Sequence, residues 1–242
     1  MQKILVLKAK GGSGKTTIAT NLAACYAARG QHPALLDYDP QGSALNWLHT
    51  RPGNKAPIHG VEAHKKSTAV TRSWQMRLPK QVERVIIDTP ASIAGAQLTD
   101  YVRQANCIIV PVLPSPIDIH TATTFIKEII MLGKVRSAAP SSASQETRLA
   151  VVANRVKENT RVYTSLVSFL SGLDIPLLTG LADSEYYNHA YVEGLGLHEL
   201  RDARTQSLCN QWQPILDWLD QLPAVKSSTD RNSDEAPIRL TP

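Results

Sequence analysis

Lys8-Ala9-Lys10-Gly11-Gly12-Ser13-Gly14-Lys15-Thr16-Thr17 stands directly after an apolar run from Lys3 to Leu7 and opens a segment of helical character that reaches Arg29. Its glycines let the backbone turn tightly and aim successive N–H groups inward. A phosphate there meets a ring of donors and the positive end of a helix. Lys15 is placed to reach the outer phosphates, and the Thr16 hydroxyl to coordinate Mg²⁺. The general pattern G-x-x-x-x-G-K-[ST] puts its first glycine at position 9. Here that position is Ala9, and a second lysine, Lys10, stands at the head of the glycines.

Outward from this loop, apolar runs recur at Ala34 to Leu36, Val85 to Ile87, Cys107 to Val112 and Leu149 to Ala153. Helical segments separate them at Gly95 to Gln104, Ile117 to Leu132 and Thr160 to Leu170. Strands alternating with helices predict an α/β fold, a doubly wound and mostly parallel sheet with helices on both faces. Leu208, Trp212, Ile215, Leu216 and Leu219 recur at helical spacing and predict a single last helix. Residues 1–222 are expected to form one domain. Residues 223–242, rich in Ser, Pro and charge, are expected to be a disordered tail, and 137–147 a flexible loop.

Two further motifs end predicted strands with carboxylates. Leu35-Leu36-Asp37-Tyr38-Asp39-Pro40-Gln41-Gly42-Ser43 places Asp37 at a strand end and Asp39 just beyond it. Val85-Ile86-Ile87-Asp88-Thr89-Pro90 ends the next strand in Asp88. A carboxylate near a phosphate loop can orient water or hold Mg²⁺ through water. Val151-Val152-Ala153-Asn154-Arg155 ends a later strand in an amide.

Together these motifs resemble the deviant Walker-A ATPases of the ParA/MinD family, over about residues 1–220. The resemblance implies a P-loop ATPase using ATP and Mg²⁺. Gly11, Gly12, Ser13, Gly14, Lys15, Thr16 and Thr17 would cradle the phosphates, and Thr16, Asp37 and Asp88 would serve the metal. Asp39 would orient the attacking water, and Asn154 would meet the adenine edge. Lys10 would reach the nucleotide of a partner subunit, which makes a homodimer with ATP. Lys10, Lys15 and Asp39 are then the catalytic set. The stretch from Ile175 to Leu200 departs from the family pattern, and no base contact is assigned there.

The chain carries 26 Lys+Arg against 21 Asp+Glu, a formal charge of +5. Residues 49–84 hold eight basic residues (Arg51, Lys55, Lys65, Lys66, Arg72, Arg77, Lys80, Arg84) against Glu62 and Glu83, a local +6. This stretch is expected to form one basic surface. With Arg155, Lys157, Arg161, Arg201 and Arg204 it is a candidate for sequence-independent DNA binding or for contact with a cargo-bound adaptor protein. No apolar run approaches the roughly 20 residues of a membrane span, and the last helix has acidic Asp217 and Asp220 in place of a basic face. A cytoplasmic protein with no membrane partner is expected, associated with the nucleoid if it binds DNA. Three scattered cysteines form no CxxC pair, so neither a disulfide framework nor a cysteine cluster site is expected. The resemblance implies an ATPase that binds DNA non-specifically and hydrolyses ATP slowly to segregate or position a plasmid, chromosome or other cargo; the alternative is a nucleotide-switched adaptor that recruits a protein and never touches DNA.

Overall fold

The apolar runs become the middle of a parallel sheet in a computed structural model that describes residues 1–8, 11–64, 78–90, 93–132, 135–136, 147–157, 161–173 and 175–221. Among these residues the strands are β1 (Gln2–Val6), β2 (Pro33–Asp37), β3 (His59–Glu62), β4 (Arg84–Asp88), β5 (Cys107–Val112), β6 (Val135–Arg136), β7 (Thr147–Val156) and β8 (Leu177–Ala182). The order across the sheet is β3-β2-β4-β1-β5-β7, and the far edge of β7 is shared by β6 at its start and β8 further along. Every pairing is parallel. The chain leaves β1 for β2 on one side, returns to insert β4 between them, and crosses β1 to β5 on the other. Such a reversal opens a crevice at the carboxyl ends of the strands.

Both faces of the sheet are buried, which is why its strands read as unbroken apolar runs. Ile4, Val6, Cys107 and Ile109 point into one core, and Leu5, Leu7, Ile108 and Val110 into the other. The first core is closed by α1 (Lys15–Ala28), α2 (Ser43–His49), α6 (Tyr186–Val192), α7 (Gln206–Asn210) and α8 (Gln213–Asp220). The second is closed by α3 (Gly95–Gln104), α4 (Pro116–Met131) and α5 (Arg161–Ser171). Helix α4 starts where Ser115 accepts the Asp118 N–H at 3.1 Å and Pro116 supplies a pre-set first φ.

Helix α1 is buried from Ile18 to Ala27 with no polar stripe, because the sheet covers one side and the C-terminal segment the other. Asn21, a polar residue inside this apolar surround, is fully used. Its Oδ1 accepts the Leu197 N–H at 2.7 Å, and its Nδ2 donates to the Thr17 carbonyl at 2.9 Å.

The structure differs from the expectations in several elements. The single last helix is two, α7 and α8, separated at Gln211–Trp212. Pro214 stands in the first turn of the second and has no N–H to continue the first. Its apolar face is as expected, with Leu208, Trp212, Ile215, Leu216 and Leu219 all buried. Strands β3 and β8 and helices α2 and α6 were not anticipated. Most of the 137–147 loop and all of the 223–242 tail lie outside the described residues.

Candidate functional site

Three carboxyl-terminal strand ends meet at the crevice. Val6 of β1 and Asp37 of β2 are both in register with Asp88 of β4, so the loop after β1 runs beside two carboxylates. Gly12 and Gly14 take φ of 83° and 86°, the left-handed region that favours glycine, and turn the loop into α1. Ser13 is 6% exposed, and its buried Oγ has no hydrogen-bond partner among the described residues. The first turn of α1 carries no acidic residue, which leaves its positive end available to an anion.

Lys15 is 3% exposed and its ammonium is ion-paired with Asp88 Oδ1, with Asp39 Oδ2 at 3.9 Å. Thr16 Oγ1 donates to the other Asp88 oxygen at 2.8 Å. Burial pushes the Asp88 carboxyl above the usual carboxylate range, with the Lys15 charge and the hydrogen bonds from Lys15 and Thr16 opposing it. Asp39 is 7% exposed, and one of its oxygens accepts the Gln41 N–H at 3.1 Å. Lys8, which the sequence reading left without a role, lies close enough to feel Lys15, Asp39 and Asp88. Burial and the Lys15 charge hold its ammonium below the ordinary lysine value.

The sequence-derived residues fall into three groups. Lys15, Thr16, Asp39 and Asp88 converge, beside Ser13. Thr17 lies at the start of α1, where its carbonyl accepts from Thr20 and Asn21. Asp37 is fully buried, and its carboxylate is engaged by three backbone amides: Asp39 at 3.0 Å, Ala44 at 2.9 Å and Leu45 at 3.1 Å. In this structure it builds the turn that carries Asp39 and starts α2. Asn154 is 5% exposed and donates through Nδ2 to the Ser13 carbonyl at 2.8 Å. Lys10 lies outside the described residues.

Mg²⁺ takes oxygen ligands and keeps several waters, so it needs few protein groups. The residues fit it. Thr16 and Asp88 offer a hydroxyl and a carboxylate 2.8 Å apart, and the Ser13 hydroxyl of the same loop is buried with no hydrogen-bond partner among the described residues.

The segment after β2 is clamped to a distant part of the chain. Tyr191 Oη donates to the Ser43 carbonyl at 2.8 Å and Trp47 Nε1 to the Leu195 carbonyl at 3.1 Å. Arg51 forms a two-pronged pair with Glu199, both bonds 2.8 Å, and donates to the Gly194 and Ala56 carbonyls, each at 3.1 Å. The sequence reading assigned no contact in this region, because partners 148 positions away leave no local signal.

The clamp corrects the expected basic surface of residues 49–84. Arg51 and Glu199 have side chains only 5% and 6% exposed. Arg84 pairs with Asp220 at 2.7 Å, donates to Gln31 at 2.7 Å and lies over the Tyr26 ring at 4.3 Å. Both cations are consumed inside the fold. Lys65, Lys66, Arg72 and Arg77 lie outside the described residues, which leaves Lys55 half-buried and Lys80 exposed. Of the other candidates, Arg155, Lys157 and Arg201 are exposed, and Arg204 is paired with Asp202 at 2.8 Å and lies over Tyr186. The side chain of Arg161 lies outside the described residues. Among the described residues no helix is long and apolar enough to cross a membrane.

Comparison with known proteins agrees with this geometry. The chain is 29% identical over 215 residues to the maintenance of carboxysome distribution protein A of Halothiobacillus neapolitanus, covering 88% of this chain and 94% of that protein. Its fold is similar to apo McdA of Cyanothece, with a TM-score of 0.68 at 14% identity, over 90% of this chain and 99% of the other. It is similar also to a plasmid partition protein of Borrelia burgdorferi bound to AMPPNP, with a TM-score of 0.65 at 16% identity over the same shares. The CobQ/CobB/MinD/ParA nucleotide binding domain matches residues 4–196, most of the sheet and the whole site, and the chain belongs to that family.

Proposed function

We propose that the chain is a ParA-type ATPase that dimerises around Mg-ATP and uses the bound state to position a cargo. The observation that carries this reading is the convergence of Lys15, Thr16, Asp39 and Asp88 on one phosphate loop. Gly11, Gly12, Ser13 and Gly14 cradle the phosphates with their N–H groups. Lys15, held by Asp88 in the structure, is the cation for which an incoming triphosphate competes. Thr16 and Asp88 hold Mg²⁺, which when bound offsets charge on the phosphate oxygens. Asp39 positions the attacking water, and Asp37 acts through the turn that places Asp39. Lys10 reaches the nucleotide of the second subunit. Positioning and charge compensation are most of what phosphoryl transfer asks of a protein.

For the cargo, a relative named for carboxysome distribution over nearly its whole length favours a protein-built body. The dimer then holds non-specific DNA through exposed Arg155, Lys157 and Arg201, each counted twice, and an adaptor on the cargo stimulates hydrolysis. The second reading, a nucleotide-switched adaptor without DNA binding, is favoured by the burial of Arg51 and Arg84 in ion pairs. Phosphate release from Mg-ATP tests the ATPase. Retention of DNA at low salt with ATP, and not with ADP, tests the partition reading; no ATP-dependent retention selects the adaptor. A Lys10→Ala chain that still sizes as a dimer with ATP removes Lys10 from the interface.

A further inference from the structure

Asn154 sits at an irregularity in the sheet. Ala153 of β7 pairs with Gly180 of β8, and the next pair is Val156 with Ala182, so β7 spends one residue more than its neighbour. That is a bulge, a device that re-aims a side chain. Inside it Arg155 has φ of 53°, and it is the one non-glycine residue with positive φ among the described residues. A left-handed arginine costs free energy and persists where its surroundings hold it.

The bulge sends the Arg155 side chain to solvent and the Asn154 side chain to the phosphate loop. Asn154 Nδ2 meets the Ser13 carbonyl at 2.8 Å across 141 positions of sequence. The approach is so close that a Cβ on Gly14 would stand 1.9 Å from Nδ2. The Ser13 C=O and the Gly14 N–H belong to one planar trans peptide, so they point in opposite directions. Holding the carbonyl against β7 therefore fixes the Gly14 N–H, an anion donor of the loop, pointing away from β7.

We propose that Asn154 is a positioning residue for the phosphates, acting through the Ser13–Gly14 peptide, and that the Arg155 bulge holds it there. The proposal rests on the reading of the loop as an ATP site. It differs from a base contact in a measurable way: a residue that orients the loop affects every ligand with the same phosphates, whatever base it carries.

The test measures binding of ATP, GTP and inorganic tripolyphosphate to the full chain and to Asn154→Ala. One lost hydrogen bond is worth about tenfold in affinity, and the expected result is a loss of about that size shared by all three, with KM raised and kcat little changed. A loss confined to ATP overturns the proposal in favour of a base contact, and no loss for any ligand overturns it outright. If the unsubstituted chain binds none of the three, the ATP reading fails by itself. Amide hydrogen exchange of residues 11–18 without nucleotide then tests the tether, which must exchange faster in Asn154→Ala. Should that variant not fold, Asn154→Ser is read in its place. Arg155→Gly relieves the positive φ, and a raised thermal midpoint is expected; a lowered one refutes the strained bulge.

Discussion

Glu199→Gln removes the only carboxylate that, among the described residues, is bonded to a guanidinium the fold has almost closed off from water. Arg51 and Glu199 are 5% and 6% exposed at the side chain, their two contacts are both 2.8 Å, and Glu199 Oε2 also accepts the Gly196 N–H at 2.8 Å. After the change Arg51 keeps the Gly194 and Ala56 carbonyls and its position 5.7 Å from the Trp47 ring centre, but has no bonded counter-charge. Breaking a buried pair from one side costs about 3–5 kcal/mol. For a domain of this size each kcal/mol moves the thermal midpoint by about 2–4 °C, so a fall of roughly 6–20 °C is expected. The pair as a whole is worth less than its breakage, and Arg51→Met with Glu199→Leu should recover much of the loss. pH separates this account from a packing defect. Burial raises the Glu199 carboxyl, but the bonds from Arg51 and the Gly196 amide outweigh it and leave it below the ordinary value of about 4.5. A group depressed in the folded state contributes fully above its unfolded value and loses that contribution as pH falls through the folded one. The gap between the two chains is therefore complete at pH 7 and closes in acid. His198, the neighbouring titratable group, is held below its ordinary value by burial with the Glu199 charge opposing, so Glu199→Gln holds it lower still. Urea unfolding measured from pH 7 to pH 3 is the assay. A gap under about 1 kcal/mol at pH 7, or one unchanged in acid, refutes the reasoning.

Other substitutions probe the site and the rest of the fold. Lys15→Ala should abolish tight ATP binding, read with a fluorescent nucleotide; binding within a fewfold of the parent removes Lys15 from the loop's chemistry. Asp39→Ala should retain ATP binding and slow phosphate release by about 100-fold, the loss of a water-positioning group, and normal turnover would reassign Asp39. Asp220→Ala cuts α8 from Arg29 and Arg84 and should cost about 1–2 kcal/mol in urea unfolding, modest because Asp220 is itself 37% exposed at the side chain. Burial pushes the Cys107 thiol up to about 12, so alkylation at pH 8 should reach half-buried Cys209 first and Cys107 only on unfolding.

The elements legible in the sequence are those whose burial is two-sided or whose helical pattern is long. Cys107–Val112 and Gly95–Gln104 coincide with the bounds read from the residues, and the loop at 11–17 carries its own glycine and lysine signature. What escaped is held by distant partners. Strand β3 buries only Val61, as an edge strand can, and β8 has Gly180 in its interior. Helix α2 is seven residues long and is seeded by the Asp37 carboxylate on the Ala44 and Leu45 amides. The basic stretch misled because composition counts charges without their partners. Arg51 and Arg84 are neutralised by Glu199 and Asp220, each more than a hundred positions later. Asn154 was expected at a strand end and entered as a site residue through the family resemblance; β7 runs on to Val156, and the attachment of Asn154 to Ser13 depends on a bulge that no local pattern announces.

The wrapping of α1 bears on the order in which the protein can mature. The phosphate loop and its helix are synthesised well before the groups that complete them: Asn154 for Ser13, Leu197 for Asn21, and Leu219, whose carbonyl receives the Gln2 side chain. A ribosome adding about 5–20 residues each second must run for roughly ten seconds or more between Asn21 and Leu197. During that interval an apolar helix waits without its outer cover, a natural client for a holding chaperone. Completion of the loop and of α1 thus waits on residues made 141 and 176 positions later.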